Sequence, residues 1–261
     1  MNHPKKIIFF ALLLFNSFVI ANGQGLTKPS IDPFIKNRNL DLKKNFDFEL
    51  KVSFSNINIG KLKYSIKKNN EEIFTKATLK TNSFYDFIFK IRDEITSSFS
   101  IKTLLPTEFN FNKKEGKKES YVKMVFKNGN IHFSEKWKKK KKTGKKEKTY
   151  SSEGKSFFDL CTMLNYAIFS KGELNRGDYF WLALKSNFYK VVLKTKQNIK
   201  VKYKKKKVNA FKYKFSSFKG EKEEKKGDFS IVVLHGDNPV FYELEGHLKI
   251  GKIKGLIKHA N

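Results

Sequence analysis

Few residues in this chain are of a type that does chemistry, and they are scattered. Histidine occurs at positions 3, 132, 235, 247 and 259. No His-Glu-x-x-His, no cysteine pair and no Asp-rich calcium loop is present, so no metal site is predicted. A Gly-x-Ser-x-Gly elbow and a glycine-rich phosphate loop are also missing. His235 and Asp237 stand close together in Leu-His-Gly-Asp-Asn-Pro, a spacing that suits acid/base work. The same residues are turn formers, because an Asp side chain accepts from nearby backbone N–H groups. The turn is the simpler expectation. The single cysteine, Cys161, falls on an apolar stripe and reads as a buried structural thiol.

Arg92-Asp93 stands out for a different reason. Only Arg38, Arg92 and Arg176 among the 55 basic residues are arginine; the rest are lysine. An Arg kept at one position of a lysine-dominated chain suggests a need for a planar guanidinium that grips a carboxylate with two prongs. Asp93, Asp159 and Asp237 are the candidate partners. The expected role is a structural ion pair tying a short helix to a sheet. No catalytic residue and no cofactor is predicted.

The elements that must hold these residues are mostly strands. Phe46, Phe48, Leu50, Val52 and Phe54 alternate with polar residues, the period of a half-buried strand. Leu62, Tyr64 and Ile66, then Ile73 to Leu79, then Ile95, Ser97, Phe99 and Ile101 repeat the pattern, and Pro106 is expected to end it. Between them Phe84, Phe87, Ile88 and Ile91 follow spacing of three and four, which predicts a short helix or tight turn. Asn128-Gly129 between alternating segments predicts a two-residue hairpin in which Phe126 faces Ile131 and Met124 faces Phe133. One principal helix is predicted at about 156–171, capped by Ser156 with Asp159 three residues on, and striped by Phe157, Leu160, Cys161, Leu164 and Ile168. Strands are expected again at 179–184, 189–193, 199–203, 208–215, 229–234, 240–244 and 248–257.

About a dozen strands and one helix imply an all-β, mainly antiparallel chain. Its curved sheet would form a barrel or half-barrel with the helix packed on it. No linker divides residues 45–261, so they are expected to be a single β-rich domain. Residues 24–44 read as an N-terminal extension. Residues 1–23 read as a signal peptide: Lys5 and Lys6, an apolar run from Ile7 to Ile20, and a cut between Gly23 and Gln24 after small residues. The run is shorter than the roughly 20 residues a spanning helix needs. The expected address is therefore the periplasm or cell exterior, and the processed chain would not span a membrane.

The formal net charge is +30. Much of it lies in Lys136–Lys148, including Lys138, Lys139, Lys140, Lys141, Lys142, Lys145 and Lys146, and in Lys204–Lys207. These runs are expected at solvated hairpin tips, with Thr143-Gly144 as one tip. Nucleic acid is not the expected partner. Base reading favours the Arg fork, and a stacking platform needs more interleaved aromatics than Trp137 and Tyr150.

Several segments together resemble a bacterial exported family, the domain-of-unknown-function 3108 family. They are Ile59-Gly60-Lys61-Leu62-Lys63-Tyr64, Phe84 through Glu94, Thr103-Leu104-Leu105-Pro106, Phe158-Asp159-Leu160 with Tyr166, Gly177-Asp178, Gly236-Asp237-Asn238-Pro239-Val240 and Ile250-Gly251-Lys252. They occur in the family's order over roughly 45–257. The resemblance implies export and β architecture and carries over no catalytic residue. With 27 Phe in such a chain, a fold-level analogy suggests a non-catalytic envelope protein whose half-barrel holds a hydrophobic ligand, a lipid or acyl chain. The alternatives are an envelope hydrolase acting on polysaccharide or lipid, which needs converging carboxylates or a Ser/His pair, and an assembly factor docking anionic envelope components through its Lys-rich hairpins.

Overall fold

The computed structural model describes residues 45–69, 71–170, 172–219, 222–223, 228–236, 240–248 and 251–260. The expected signal peptide, its Gly23/Gln24 cut, the 24–44 extension and Asp237 lie outside them. The first half of the sheet is an uninterrupted meander: β1 (Phe46–Phe54), β2 (Ile57–Lys68), β3 (Glu72–Thr81), β4 (Arg92–Ser100), β5 (Pro106–Glu115), β6 (Lys118–Lys127), β7 (Asn130–Lys139) and β8 (Lys142–Ser151). A short helix α1 (Ser83–Phe89) joins β3 to β4. After β9 (Phe157–Phe158) comes α2 (Leu160–Phe169). The chain then returns through β10 (Tyr179–Leu184), β11 (Asn187–Tyr203), β12 (Lys206–Lys219), β13 (Lys222–Glu223), β14 (Phe229–Leu234), β15 (Phe241–Leu248) and β16 (Gly251–Ala260).

All these strands belong to one sheet of 16 among the described residues. The order along it is β8-β7-β6-β5-β4-β3-β2-β1-β16-β15-β14-β12-β11-β10-β9, with β13 hydrogen-bonded beside β12. Pairing is antiparallel throughout except for β9 on β10. The first described strand thus pairs with the last, and the edges are β8 and β9, consecutive in sequence and linked by residues 152–156. The sheet curls rather than closing, and its two edges meet through side chains. The Tyr150 ring of β8 lies 4.9 Å from the Phe188 ring of β11, and Lys185 Nζ, between β10 and β11, is 3.2 Å from Glu135 Oε1 of β7. Of the two expected forms, barrel or half-barrel, the curled sheet is the second.

Alternation decides what fills it. Phe46, Phe48, Leu50 and Val52 of β1, Ile73, Ala77 and Leu79 of β3, and Phe109 and Phe111 of β5 point inward and are buried. Each large apolar side chain removed from water contributes roughly 1.5–3 kcal/mol before entropy is charged against it. The Asn128-Gly129 hairpin has the predicted register, Phe126 opposite Ile131 and Met124 opposite Phe133. Positive φ at Asn128 (52°) and Gly129 (69°) is the geometry that Asn-Gly supplies.

Helix α2 lies in the concavity, and all ten of its residues are buried. A helix surrounded on every side cannot present one apolar stripe; its polar members, Thr162 and Asn165, need internal partners. Its start differs from expectation. Asp159, not Ser156, is the cap, its side chain accepting from Thr162 N–H. Phe157 and Phe158 are not helical, because they form β9 against Trp181 and Leu182. Three further expectations are corrected. Pro106 opens β5 rather than merely ending β4. Residues 189–203 are one strand, continued through a register shift between Leu193 and Thr195. The lysine-rich hairpin turns at Lys140-Lys141, since Lys139 pairs with Lys142. Gly144 sits within β8, where a Cβ would fall 2.3 Å from the Trp137 ring.

Candidate functional site

The wall that faces α2 carries two carboxylate environments. On β4 the inward residues Asp93, Ser97 and Phe99 are buried, as is Ile91 just before it. Ser97 reaches the α2 cap: its Oγ donates to Asp159 Oδ2 at 2.8 Å. Thr162 Oγ1 donates to the same oxygen at 2.7 Å, and Thr162 N–H to Asp159 Oδ1 at 3.1 Å. Farther along the helix, Tyr64 Oη donates to Asn165 Oδ1 (2.8 Å), and Asn165 Nδ2 donates to Thr75 Oγ1 (2.6 Å). These bonds lock α2 to β2, β3 and β4. Burial pushes the Asp159 carboxyl up in pKa, against the hydrogen bonds that favour its charged form. Burial, then the neighbouring Asp159, pushes the Cys161 thiol well up, so it is an inert thiol as expected.

Asp93 is differently placed. The β4–β5 ladder runs to the Glu94–Asn112 pair and resumes only at an isolated Ile91–Glu115 bridge. In the gap Asp93 Oδ1 accepts the Lys114 N–H at 2.9 Å. Its Oδ2 is buried without a hydrogen-bond partner. Burial and the nearby Glu115 push the Asp93 carboxyl up to about 7. Glu115 is itself raised by burial, although Lys113 Nζ lies 2.8 Å from its Oε2. Lys113 is pushed down by burial.

Asp93 lines a cleft of about 110 Å³, partly open to solvent. Val52, Leu79, Ile95, Ile253 and, from α2, Leu160 and Leu164 form much of its wall. The other carboxylate of the lining, Glu245, is paired with Lys252 at 2.7 Å. The cleft therefore offers a hydrocarbon surface with one near-neutral acid. Among the described residues no group of three His, Cys, Asp or Glu side chains converges as metal ligands do.

Arg92 holds neither Asp93 nor Asp159; Asp237, the third predicted partner, lies outside the described residues. Its guanidinium grips Asp86 of α1 with both Nη atoms, Nη1 lying 2.9 Å from Oδ1, and Nη1 also donates to the Ile91 carbonyl. Arg92 points outward on β4 while Asp93 points in, so adjacent residues lie on opposite faces of the sheet. Asp159 is committed to the helix cap. The Arg92 hydrogen bonds hold the Asp86 carboxyl below its usual range. The pair ties the short helix to the sheet, the expected role with a different acid. His235 is exposed, its ring 3.7 Å from that of Phe211. Lys138–Lys142, Lys145 and Lys146 are exposed around the β7–β8 hairpin, as expected. Lys145 pairs with Glu147, and Lys146 reaches Ser186 Oγ.

A family profile described as a protein of unknown function, DUF3108, matches residues 47–257. The chain belongs to the DUF3108 family. The match spans β1 to β16, so it covers the curled sheet, α2 and the cleft. No curated protein matches the chain. Among solved structures, the chain is similar to a β-barrel-like protein of the domain of unknown function DUF1849 from Brucella abortus. The identity is 12%, covering 83% of this chain and 97% of that one, with a TM-score of 0.56. At that identity the likeness shows the fold alone. No helix among the described residues is long and apolar enough to cross a membrane.

Proposed function

We propose that this DUF3108 protein is an exported, non-catalytic envelope component that lodges the hydrocarbon end of a lipid or acyl chain in the cleft beside Asp93. The observation that carries this is the cleft itself, an apolar space left open between α2 and the sheet. Its volume limits the occupant. An engineered apolar cavity of about 150 Å³ takes one benzene. The cleft at about 110 Å³ accepts the last few carbons of a chain, and the headgroup stays outside.

Asp93 makes that occupancy pH-dependent. An apolar chain strips water from the carboxyl, which costs little when it is protonated and much when it is charged. Chain binding is expected to weaken as pH rises through about 7, the value to which Asp93 is shifted. The test is native mass spectrometry of the protein purified without detergent from a periplasmic fraction, beside the Ala77→Leu variant, which fills the cleft. An adduct of lipid mass on the wild type and not on the variant supports the reading. A bare polypeptide, together with no uptake of added fatty acid or phospholipid, overturns it.

The hydrolase alternative keeps one specific support: Asp93 and Glu115 are electrostatically coupled carboxylates, one of them near neutral. Glu115 is held by Lys113 and does not line the cleft, which leaves a single acid facing a hydrocarbon wall. Hydrolysis of an acyl ester that is abolished by Asp93→Asn would favour that alternative over the carrier.

A further inference from the structure

The end of the barrel where α1 sits has an unusual surface. Phe84, Phe87 and Ile88 occupy one face of α1 at spacing of three and four, and that face points to water: Phe84 is 72%, Phe87 95% and Ile88 49% exposed. The opposite face is anchored by Phe89, which packs against the Val52, Leu79, Ile91 and Ile253 cluster. Ile57, 56% exposed, lies beside them, because its hairpin is joined to the start of α1 by Asn82 N–H to Ile59 O (3.1 Å). Exposing single apolar residues is ordinary; grouping four on one rim is not.

The same rim is basic. Strand direction places the β1–β2, β5–β6 and β7–β8 tips at this end, with α1 among them. They touch in sequence: Gly116 N–H donates to Lys90 O at 2.9 Å, and Lys140 N–H to Lys117 O at 3.4 Å. Lys90, Lys117 and Lys139–Lys142 are all exposed. The acid of α1, Asp86, is already engaged by Arg92. The result is an apolar knob with a lysine-rich arc on one side of it.

We propose that this rim docks the protein on an anionic lipid bilayer, with Phe84, Phe87, Ile88 and Ile57 entering the headgroup–acyl boundary and the lysines of the three tips facing lipid phosphates. The two parts act together in a known way. Basic residues near an anionic membrane attract it through the surface potential, and buried aromatic area holds the contact at higher salt. Lysine suits the task, since a flexible point charge needs no fixed geometry to meet a phosphate. The proposal does not depend on what the cleft holds. It would place Leu79 and Asp93, each within three residues of the α1 connection, on the membrane side of the molecule.

The test is vesicle co-sedimentation of the full chain without its first 23 residues. Phosphatidylcholine vesicles with and without phosphatidylglycerol are compared at low and raised salt, with soluble polyphosphate as competitor. Binding to the anionic vesicles is expected, weakened by salt, with little binding to phosphatidylcholine alone. The double substitution Phe84→Ser with Phe87→Ser is expected to weaken it by about tenfold per Phe. Thermal melting should be unchanged, because both rings are exposed. Lys139→Gln with Lys140→Gln and Lys141→Gln is expected to remove most of the low-salt component. Wild type that fails to sediment at low salt overturns the proposal. So does a double Phe variant that binds as the wild type does, or complete displacement by polyphosphate, which would mark a polyanion site without insertion. The Phe variant should still take up a soluble short-chain fatty acid, so a failed rim and a failed cleft give different results.

Discussion

Asp159 and Asp93 are both buried carboxylates facing the inside of the same half-barrel, and both are raised by burial. Asp159 spends its oxygens on Thr162 N–H, Thr162 Oγ1 and Ser97 Oγ, and it sits where the α2 N-terminus favours negative charge. Asp93, four residues before Ser97 on the same strand, has one oxygen bonded to the Lys114 N–H and one bonded to nothing. A satisfied buried acid holds structure together. An unsatisfied one stores a cost that a change of protonation or an incoming group can relieve. The contrast separates the scaffold from the site.

Removing the scaffold acid should have the largest effect. Asp159→Ala deletes the α2 cap and leaves the buried Ser97 and Thr162 hydroxyls only each other, 3.4 Å apart, as partners, an expected loss of about 3–5 kcal/mol. Urea denaturation measures it, and Asp159→Asn should lose less. Asp93 should behave in the opposite way. Its folded-state pKa lies above the unfolded value near 4, so the folded chain holds the extra proton between about pH 4 and 7. Stability therefore falls as pH rises through that window, by on the order of 4 kcal/mol. Asp93→Asn keeps an acceptor for Lys114 N–H and removes the charge. It should be more stable than wild type at pH 8 and equal to it near pH 4, with a shallower fall between. A variant less stable than wild type at pH 8 would put Asp93 in the same class as Asp159.

Smaller effects sharpen the picture. Ala77→Leu pushes a larger side chain into the cleft, with an expected cost of about 1–3 kcal/mol and loss of chain uptake. If uptake is unchanged, the chain does not enter beside Ala77. Arg92→Lys breaks the two-pronged grip on Asp86 but keeps the charge. Since both partners are partly exposed, a loss of about 1 kcal/mol or less is expected in thermal melting.

Much of this scaffold was legible in the residues. Alternation marks the inward faces of β1 to β4, and Asn128-Gly129 fixes a register that the structure reproduces pair for pair. What escaped depended on contacts distant in sequence. Ser156 and Asp159 are both cap types, and only the pairing of Phe157 and Phe158 with β10 decides between them. Gly144 looked like a turn residue, whereas it is small because Trp137 lies over it. The alternation of β4 also carries a signal for the site. Continuing the Ile95, Ser97, Phe99 face back by two residues puts Asp93 inside, beside the apolar Leu79, and away from Arg92. The face of α1 escaped for a related reason: spacing of three and four identifies a helix but not which side meets the protein.

The central claim is that the cleft beside Asp93 takes a hydrocarbon chain. The most direct measurement is the anomalous bromine signal from crystals of the protein soaked with a terminally brominated alkyl chain. A bromine peak in van der Waals contact with Leu79, Leu164 and Ile253, absent from Ala77→Leu crystals, is the predicted result. No peak in the cleft under conditions that label other apolar surface would contradict it.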